Sequence, residues 1–233
     1  MLFRKRTDPN VVLKSIQALS PRDQFDRKEL CEKALKGLGF QVNPRLPAIE
    51  SEGEVRIRSS DELYKRMIAL FLVTGSAHHP DGPFFREYVD EHRIVDWLSK
   101  REQEFFYNDD RKERDIVNFT WGTEAFILLS WCGGLIDTLT FPQRQSSIEP
   151  IADLLPQEIE EEGELQSALR VRSTTELLNV SDFLYRLHWA LRSPPKKGQA
   201  FADWEIVMEW HKAINWMTCY DNEDDWDQVS TDT

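Results

Sequence analysis

Residues 121–132 read Trp121-Gly122-Thr123-Glu124-Ala125-Phe126-Ile127-Leu128-Leu129-Ser130-Trp131-Cys132. From Ala125 to Leu129 every position is apolar, so no side of a helix built here suits water. A helix of that kind is stable only when protein surrounds it. A bilayer span takes about 20 apolar residues, and no run of that length occurs in the chain. The expected fold is mostly α: a single multi-helix globular domain with a core helix ending near 132, at Gly133-Gly134.

Working outward, helical spacing recurs on both sides. Leu30, Ala34, Leu35 and Leu38 form one stripe that Gly37 and Gly39 would close. Val42-Asn43-Pro44-Arg45-Leu46-Pro47 cannot be helical through its two prolines and reads as an extended crossing segment. Ser59 and Glu62 form a capping box ahead of the apolar run Met67–Val73, with Gly75 as its stop. A helix over 84–98, broken near His92, leads to a second capping box at Ser99 and Glu102. The core helix is expected as one piece from about 110 to 132. A short helix over 148–155 and two longer ones, 174–191 and 203–218, complete the set. Strand is expected at most as short segments near 42–58 and 168–172. Residues 1–25 are expected to attach loosely, 26–220 to form the domain, and 221–233 to be an acidic tail.

Arg56-Ile57-Arg58-Ser59-Ser60-Asp61-Glu62-Leu63 is echoed by Arg170-Val171-Arg172-Ser173-Thr174-Thr175-Glu176-Leu177. Repeated use of one helix-start chemistry is the simpler explanation. The alternative is a duplicated half, with two helical halves facing each other across a pseudo-twofold axis.

The formal net charge is -12 in 233 residues. It concentrates in the acidic run 158–164 and in the C-terminal stretch 221–233. Such a surface repels phosphate backbones, so nucleic acid is not an expected partner, and neither is a membrane. The plain reading of both runs is solvated surface; the sharper one is docking of a basic partner. Cys31, Cys132 and Cys219 are odd in number and far apart, which suits a reducing compartment. The opening Met1-Leu2-Phe3-Arg4-Lys5-Arg6 lacks the apolar stretch of a secretory signal, so a cytoplasmic location is expected.

No nucleotide-binding glycine motif, zinc-ligand spacing or nucleophile elbow is present, and no cofactor or metal is expected. His78-His79 with Asp81 reads as a turn rather than a metal site. What remains is polar chemistry set among apolar residues. Glu124 falls beside Thr120, Leu128 and Trp131 on a helix, where a carboxylate must find a cation, donors or a proton. Its structural role would be to pair with an Arg; its functional role would be as acid, base or ligand. Asp182, Arg186 and Trp189 share one helix side, and His188 sits with Leu184 and Leu191 on another. His211 and Asn215 fall one turn apart on an apolar arc with Trp216. Such residues are ordinarily satisfied within a core. If Glu124, His188 and His211 converged, they could run acid–base chemistry.

Several blocks together resemble a bacterial family, domain of unknown function 4272. They are Val42–Pro47 with Arg58-Ser59, Phe119-Thr120-Trp121 with Glu124-Ala125, Gly134-Leu135-Ile136-Asp137 with Phe141-Pro142, Tyr185–Ala190, His211–Trp216 and the terminus Asp225–Thr233. Gly122-Thr123 is a departure, because members are often bulkier there. The resemblance implies a bacterial, cytosolic setting and transfers no activity, cofactor or catalytic residue. Its terminal block places Trp226 and Val229 among acids, which points to a docked tail.

Three functional expectations follow. The leading one is a non-enzymatic protein that binds a protein partner, such as an immunity-type protein. The others are an enzyme using Glu124, His188 and His211, and a small-molecule sensor with a pocket lined by Trp121, Trp189 and Trp216. The sequence is silent on oligomeric state.

Overall fold

The computed structural model describes residues 7–161 and 163–233, so the basic opening Met1–Arg6 and Glu162 of the acidic run lie outside the described residues. Of the described residues 57% are helical and none is in a strand, so the segments near 42–58 and 168–172 are extended without forming a sheet. Ten α-helices are described: α1 Pro9–Gln17, α2 Gln24–Gly37, α3 Ser60–His78, α4 Phe84–His92, α5 Lys100–Phe106, α6 Glu113–Thr120, α7 Gly122–Cys132, α8 Leu165–Ala168, α9 Thr174–Leu191 and α10 Trp204–Met217. Together they make one globular multi-helix domain. None is long and apolar enough to cross a membrane.

The caps form as the sequence indicates. Ser59, Ser99 and Ser173 each accept from the backbone three residues on, and Glu62, Glu102 and Glu176 each reach back. α4 stops at His92 because Arg93 turns left-handed at φ 55°. The segment expected to be loose departs from that reading over its described part. Asp8 and Pro9 start α1, and Leu13 and Ile16 are buried against α9.

Two glycines change the expected helix limits. α3 runs through Gly75 to His78; a Cβ there would lie 2.3 Å from the Phe85 ring, so glycine serves close packing with α4 rather than termination. The expected long core helix is two, α6 and α7, meeting at Trp121. At the junction a Cβ on Gly122 would sit 2.5 Å from the Thr74 hydroxyl of α3. Glycine at 122 thus lets α3 and α7 approach closely.

α7 is buried from Glu124 to Cys132 and lies between α3 and α10. Around it the sequence echo becomes a structural one. The Arg58 backbone N–H donates to the Met217 carbonyl at 3.0 Å, its Nε donates to the Trp216 carbonyl at 2.9 Å, and its guanidinium lies 4.5 Å from the Trp216 ring centre. The Arg172 backbone N–H donates to the Cys132 carbonyl at 2.9 Å, its Nε to the Trp131 carbonyl at 2.7 Å, and its guanidinium lies 4.8 Å from the Trp131 ring centre. The start of α3 therefore seals the end of α10, and the start of α9 seals the end of α7. α3 packs on α7, α9 on α10, and α7 on α10. Exchanging α3 with α9 and α7 with α10 reproduces these contacts. Repeated capping chemistry accounts for the Ser and Glu of each copy but not for an Arg seated on a distant Trp. The contacts of the two copies correspond in this way, with α4, α5 and α6 lying between α3 and α7 and no described α-helix between α9 and α10.

The C-terminal stretch lies against this core. Trp226 is buried edge-on to Trp216, with Arg66 and Lys212 both over its ring. Asp227 accepts from the Ser99 hydroxyl at 2.7 Å and from the Arg101 backbone N–H at 2.9 Å. The described part of the acidic run is also tied down: the His92 ring meets the Ile159 carbonyl at 2.6 Å, and the Tyr88 hydroxyl donates to the Glu161 carbonyl.

Candidate functional site

Two of the three residues singled out for acid–base chemistry meet. His188 of α9 and His211 of α10 face each other with Nδ1 atoms 2.9 Å apart, and His211 Nε2 lies 3.2 Å from Asn215 Nδ2. Burial holds both rings below the ordinary histidine value, His188 at about 4 and His211 at about 3. Both are therefore neutral near pH 7. Glu124 has other partners: it accepts from the Ser146 backbone N–H at 2.6 Å, the Ser146 hydroxyl at 2.9 Å and the Trp210 indole N–H at 3.2 Å. Burial pushes its pKa up, and those three donors pull against it. Arg186 is not its partner. The Arg186 guanidinium is held by Asp182 at 2.7 and 2.8 Å and donates to the Pro47 carbonyl, which pins the crossing segment to α9.

His211 and Asn215 also line a cleft of about 820 Å³ formed with Tyr185 and the crossing segment at Arg45–Glu50. Its two most buried polar side chains, His211 and Asn215, are already engaged. His211 is engaged by His188 and Asn215, Asn215 donates to the Ser230 carbonyl at 2.9 Å, and Lys28 donates to the Pro44 and Leu46 carbonyls.

The correspondence between the Arg58–Trp216 and Arg172–Trp131 contacts points elsewhere. Setting Trp131-Cys132 on Trp216-Met217 places Glu124 in register with Glu209. Unlike Glu124, Glu209 makes no hydrogen bond or ion pair with any described residue. It lines a cleft of about 430 Å³ over α10, walled by α3, by the α6–α7 junction at Phe119, Trp121 and Gly122, and by Trp226 and Asp227 of the tail. One turn on, Lys212 lines the same cleft with its ammonium 4.5 Å from the Trp226 ring centre. Beside it the Arg66 Nη2 reaches both Glu102 oxygens at 2.6 Å in a buried ion pair, while Arg66 Nε has no hydrogen-bond partner.

Burial displaces the two free groups in opposite directions. It raises the Glu209 carboxyl above its ordinary range, where Lys212 opposes the shift and Glu124 adds to it. It lowers the Lys212 ammonium, more than Glu209, Glu102 and Asp227 restore. A carboxyl and an amine so displaced, with neither bonded, form a site where a bound molecule would gain strong polar contacts.

The three indoles expected to share a pocket do not. Trp121 lines this cleft with Trp226, Trp216 backs Trp226 beside Arg58, and Trp189 packs at the margin of the core. Among the described residues, no group of three or more His, Cys, Asp or Glu is arranged to hold a metal. His79 stacks on Phe85.

The model of the family described as a domain of unknown function, DUF4272, matches residues 27–229. The chain belongs to this family. No curated protein and no solved structure matches it.

The DUF4272 match spans every wall of the cleft, from α3 to Asp227. Glu124, Arg186, His188, His211 and Asn215 stood out because each interrupts an apolar stretch. Glu209 and Lys212 escaped that criterion: a Glu and a Lys one turn apart on a helix look like a surface pair. The signal that would have found Glu209 is its register with Glu124, readable only once Arg58 and Arg172 are known to sit on Trp216 and Trp131.

Proposed function

We propose that this DUF4272 protein binds a small molecule in the cleft over α10, with Glu209 and Lys212 as its polar contacts and Trp121 and Trp226 as its walls. The observation that carries the reading is that Glu209 lies half-buried at this cleft without a hydrogen-bond partner. Its carboxylate still reaches solvent, so a ligand donor would replace water there with a charge-assisted hydrogen bond. The cleft volume of about 430 Å³ also suits a small molecule, since such sites run to roughly 300–1,000 Å³. This is a binding protein of the sensor kind, with Trp226 in place of Trp189 and Trp216.

One observation favours a second reading. A carboxyl with raised pKa and an amine with lowered pKa in one cleft also suit proton transfer, Glu209 as acid and Lys212 as base. Binding is preferred, because the cleft lining includes no Ser, Cys or His.

The test is a thermal-shift screen of a metabolite panel against the native chain and against Met208→Trp, which fills the cleft. A compound that raises Tm of the native chain and not of the variant supports the reading. A panel without effect, or hits that bind both chains equally, overturns it.

A further inference from the structure

We infer that the ligand of the cleft over α10 is an organic cation, a primary ammonium or guanidinium carried on a short apolar stem. The inference rests on the cleft being a ligand site, and adds the chemistry of what enters it.

Glu102 is matched by Arg66 at 2.6 Å and contributes no net charge. What remains are two cations, Arg101 and Lys212, against four carboxylates, Asp115, Glu205, Glu209 and Asp227. None of these six takes part in an ion pair among the described residues. The cleft thus carries a net excess of two negative charges, and the whole chain adds to that field at -12. An anion entering would face that excess; a cation would be drawn in by it.

The walls select the same ligand. Phe119, Trp121 and Trp226 give the cleft an aromatic lining, and the face of an indole attracts a cation within about 6 Å. The protein already uses this attraction at Trp226, where the Lys212 ammonium sits 4.5 Å and the Arg66 guanidinium 4.7 Å from the ring centre. The apolar side chains of Leu70, Val73 and Met208 would receive a hydrocarbon stem. Glu209, with no partner of its own, is the anion that the cation head would meet.

Lys212 gives the proposal a test of sign. If the ligand is a cation, Glu209 attracts it and Lys212 repels it, so removing the two charges must act in opposite directions. Isothermal titration of the full chain with pentylamine and pentylguanidine, beside 1-pentanol and pentanoate as neutral and anionic controls, measures this at low salt. The cations are expected to bind at least ~10-fold more tightly than either control, a difference of about 1.4 kcal/mol. Glu209→Gln should weaken them by a similar factor, while Lys212→Met, which keeps the stem over Trp226, should tighten them. Circular dichroism melts of both variants establish that each is folded. Preferential binding of pentanoate, or weakening by Lys212→Met, overturns the cation and leaves the cleft as a site. Failure of all four probes overturns the cation if the screened cleft ligands are uncharged or anionic, and overturns both readings if the metabolite screen is empty too.

Discussion

The Nδ1 atoms of His188 and His211 lie 2.9 Å apart, and the tail decides which of them carries the proton. Asn215 Nδ2 donates to the Ser230 carbonyl at 2.9 Å, which fixes the amide so that its nitrogen also faces His211 Nε2. That Nε2 must accept, so the His211 proton is on Nδ1 and donates to His188 Nδ1. The His188 proton is then on Nε2, a buried atom without a hydrogen-bond partner, beside the Trp204 ring at 4.5 Å between centres.

A second proton on this pair would set two N–H groups against each other. Both folded-state values, about 4 and about 3, lie below the ordinary value of 6.5. The unfolded chain therefore binds more protons as the pH falls below 6.5. The stability contributed by the neutral pair is complete above that pH and is lost on acidification toward pH 4. The slope is about 1.4 kcal/mol per pH unit for each histidine. Urea melts at pH 7.5, 6.0 and 5.0 should show this loss, and His188→Leu should lower the slope. Equal slopes in the two chains would contradict the shifts.

Arg58 and Arg172 should be interchangeable in their cost. Each guanidinium donates to a carbonyl at a helix end and to another in the segment beyond it, and packs on a Trp. Arg58→Leu and Arg172→Leu should each destabilise by about 2–4 kcal/mol, because the carbonyls left behind lose charged donors. Denaturant melts giving one large and one negligible value would break the equivalence.

The contact between Gly122 and Thr74 predicts a reversal. Gly122→Ala should cost about 1–3 kcal/mol, since the new methyl group has 2.5 Å of room where it needs more. In a Thr74→Ala background the clash is gone and the better helix propensity of alanine, up to about 1 kcal/mol, makes the same change neutral or favourable. A double-mutant cycle by thermal melts measures the sign, and additivity would refute the contact.

The buried pair of Arg66 and Glu102 makes a further demand. Glu102→Ala removes both the partner of Arg66 and the reciprocal arm of the Ser99 cap, and should cost about 3–5 kcal/mol. Arg66→Met with Glu102→Leu should cost much less than the sum of the single changes. A sum equal to the parts would mean that the pair is not coupled.

Much of this fold is legible in the sequence because its helix starts are written in local chemistry. Ser59, Ser99 and Ser173 announce α3, α5 and α9 through residues only three positions away. The helix ends are less legible. Gly75 and Gly122 look like a stop and an ordinary helix position, while their roles are set by Phe85 and Thr74 arriving from other helices. α1 was hidden for a similar reason: its short apolar face, Leu13 and Ile16, finds its partner in α9, far along the chain. For the site, buried polar residues were found by their apolar neighbours in sequence, and that criterion selects groups that the core engages. Glu124, Arg186, His188 and His211 each have a partner, although His188 Nε2 and Arg186 Nη1 make no hydrogen bond. Glu209, which has none, stands where a partial exposure and a nearby Lys make it look ordinary.

The central claim is that the ligand site is the cleft of Glu209 and Lys212 rather than the cleft of His211. Amide and indole NMR spectra of the full chain, titrated with a compound that raises its Tm, test this most directly. The largest shifts should fall on the indole N–H groups of Trp121 and Trp226 and on the backbone of Glu209 and Lys212. Shifts concentrated instead at Tyr185, His211 and Asn215 would contradict the assignment.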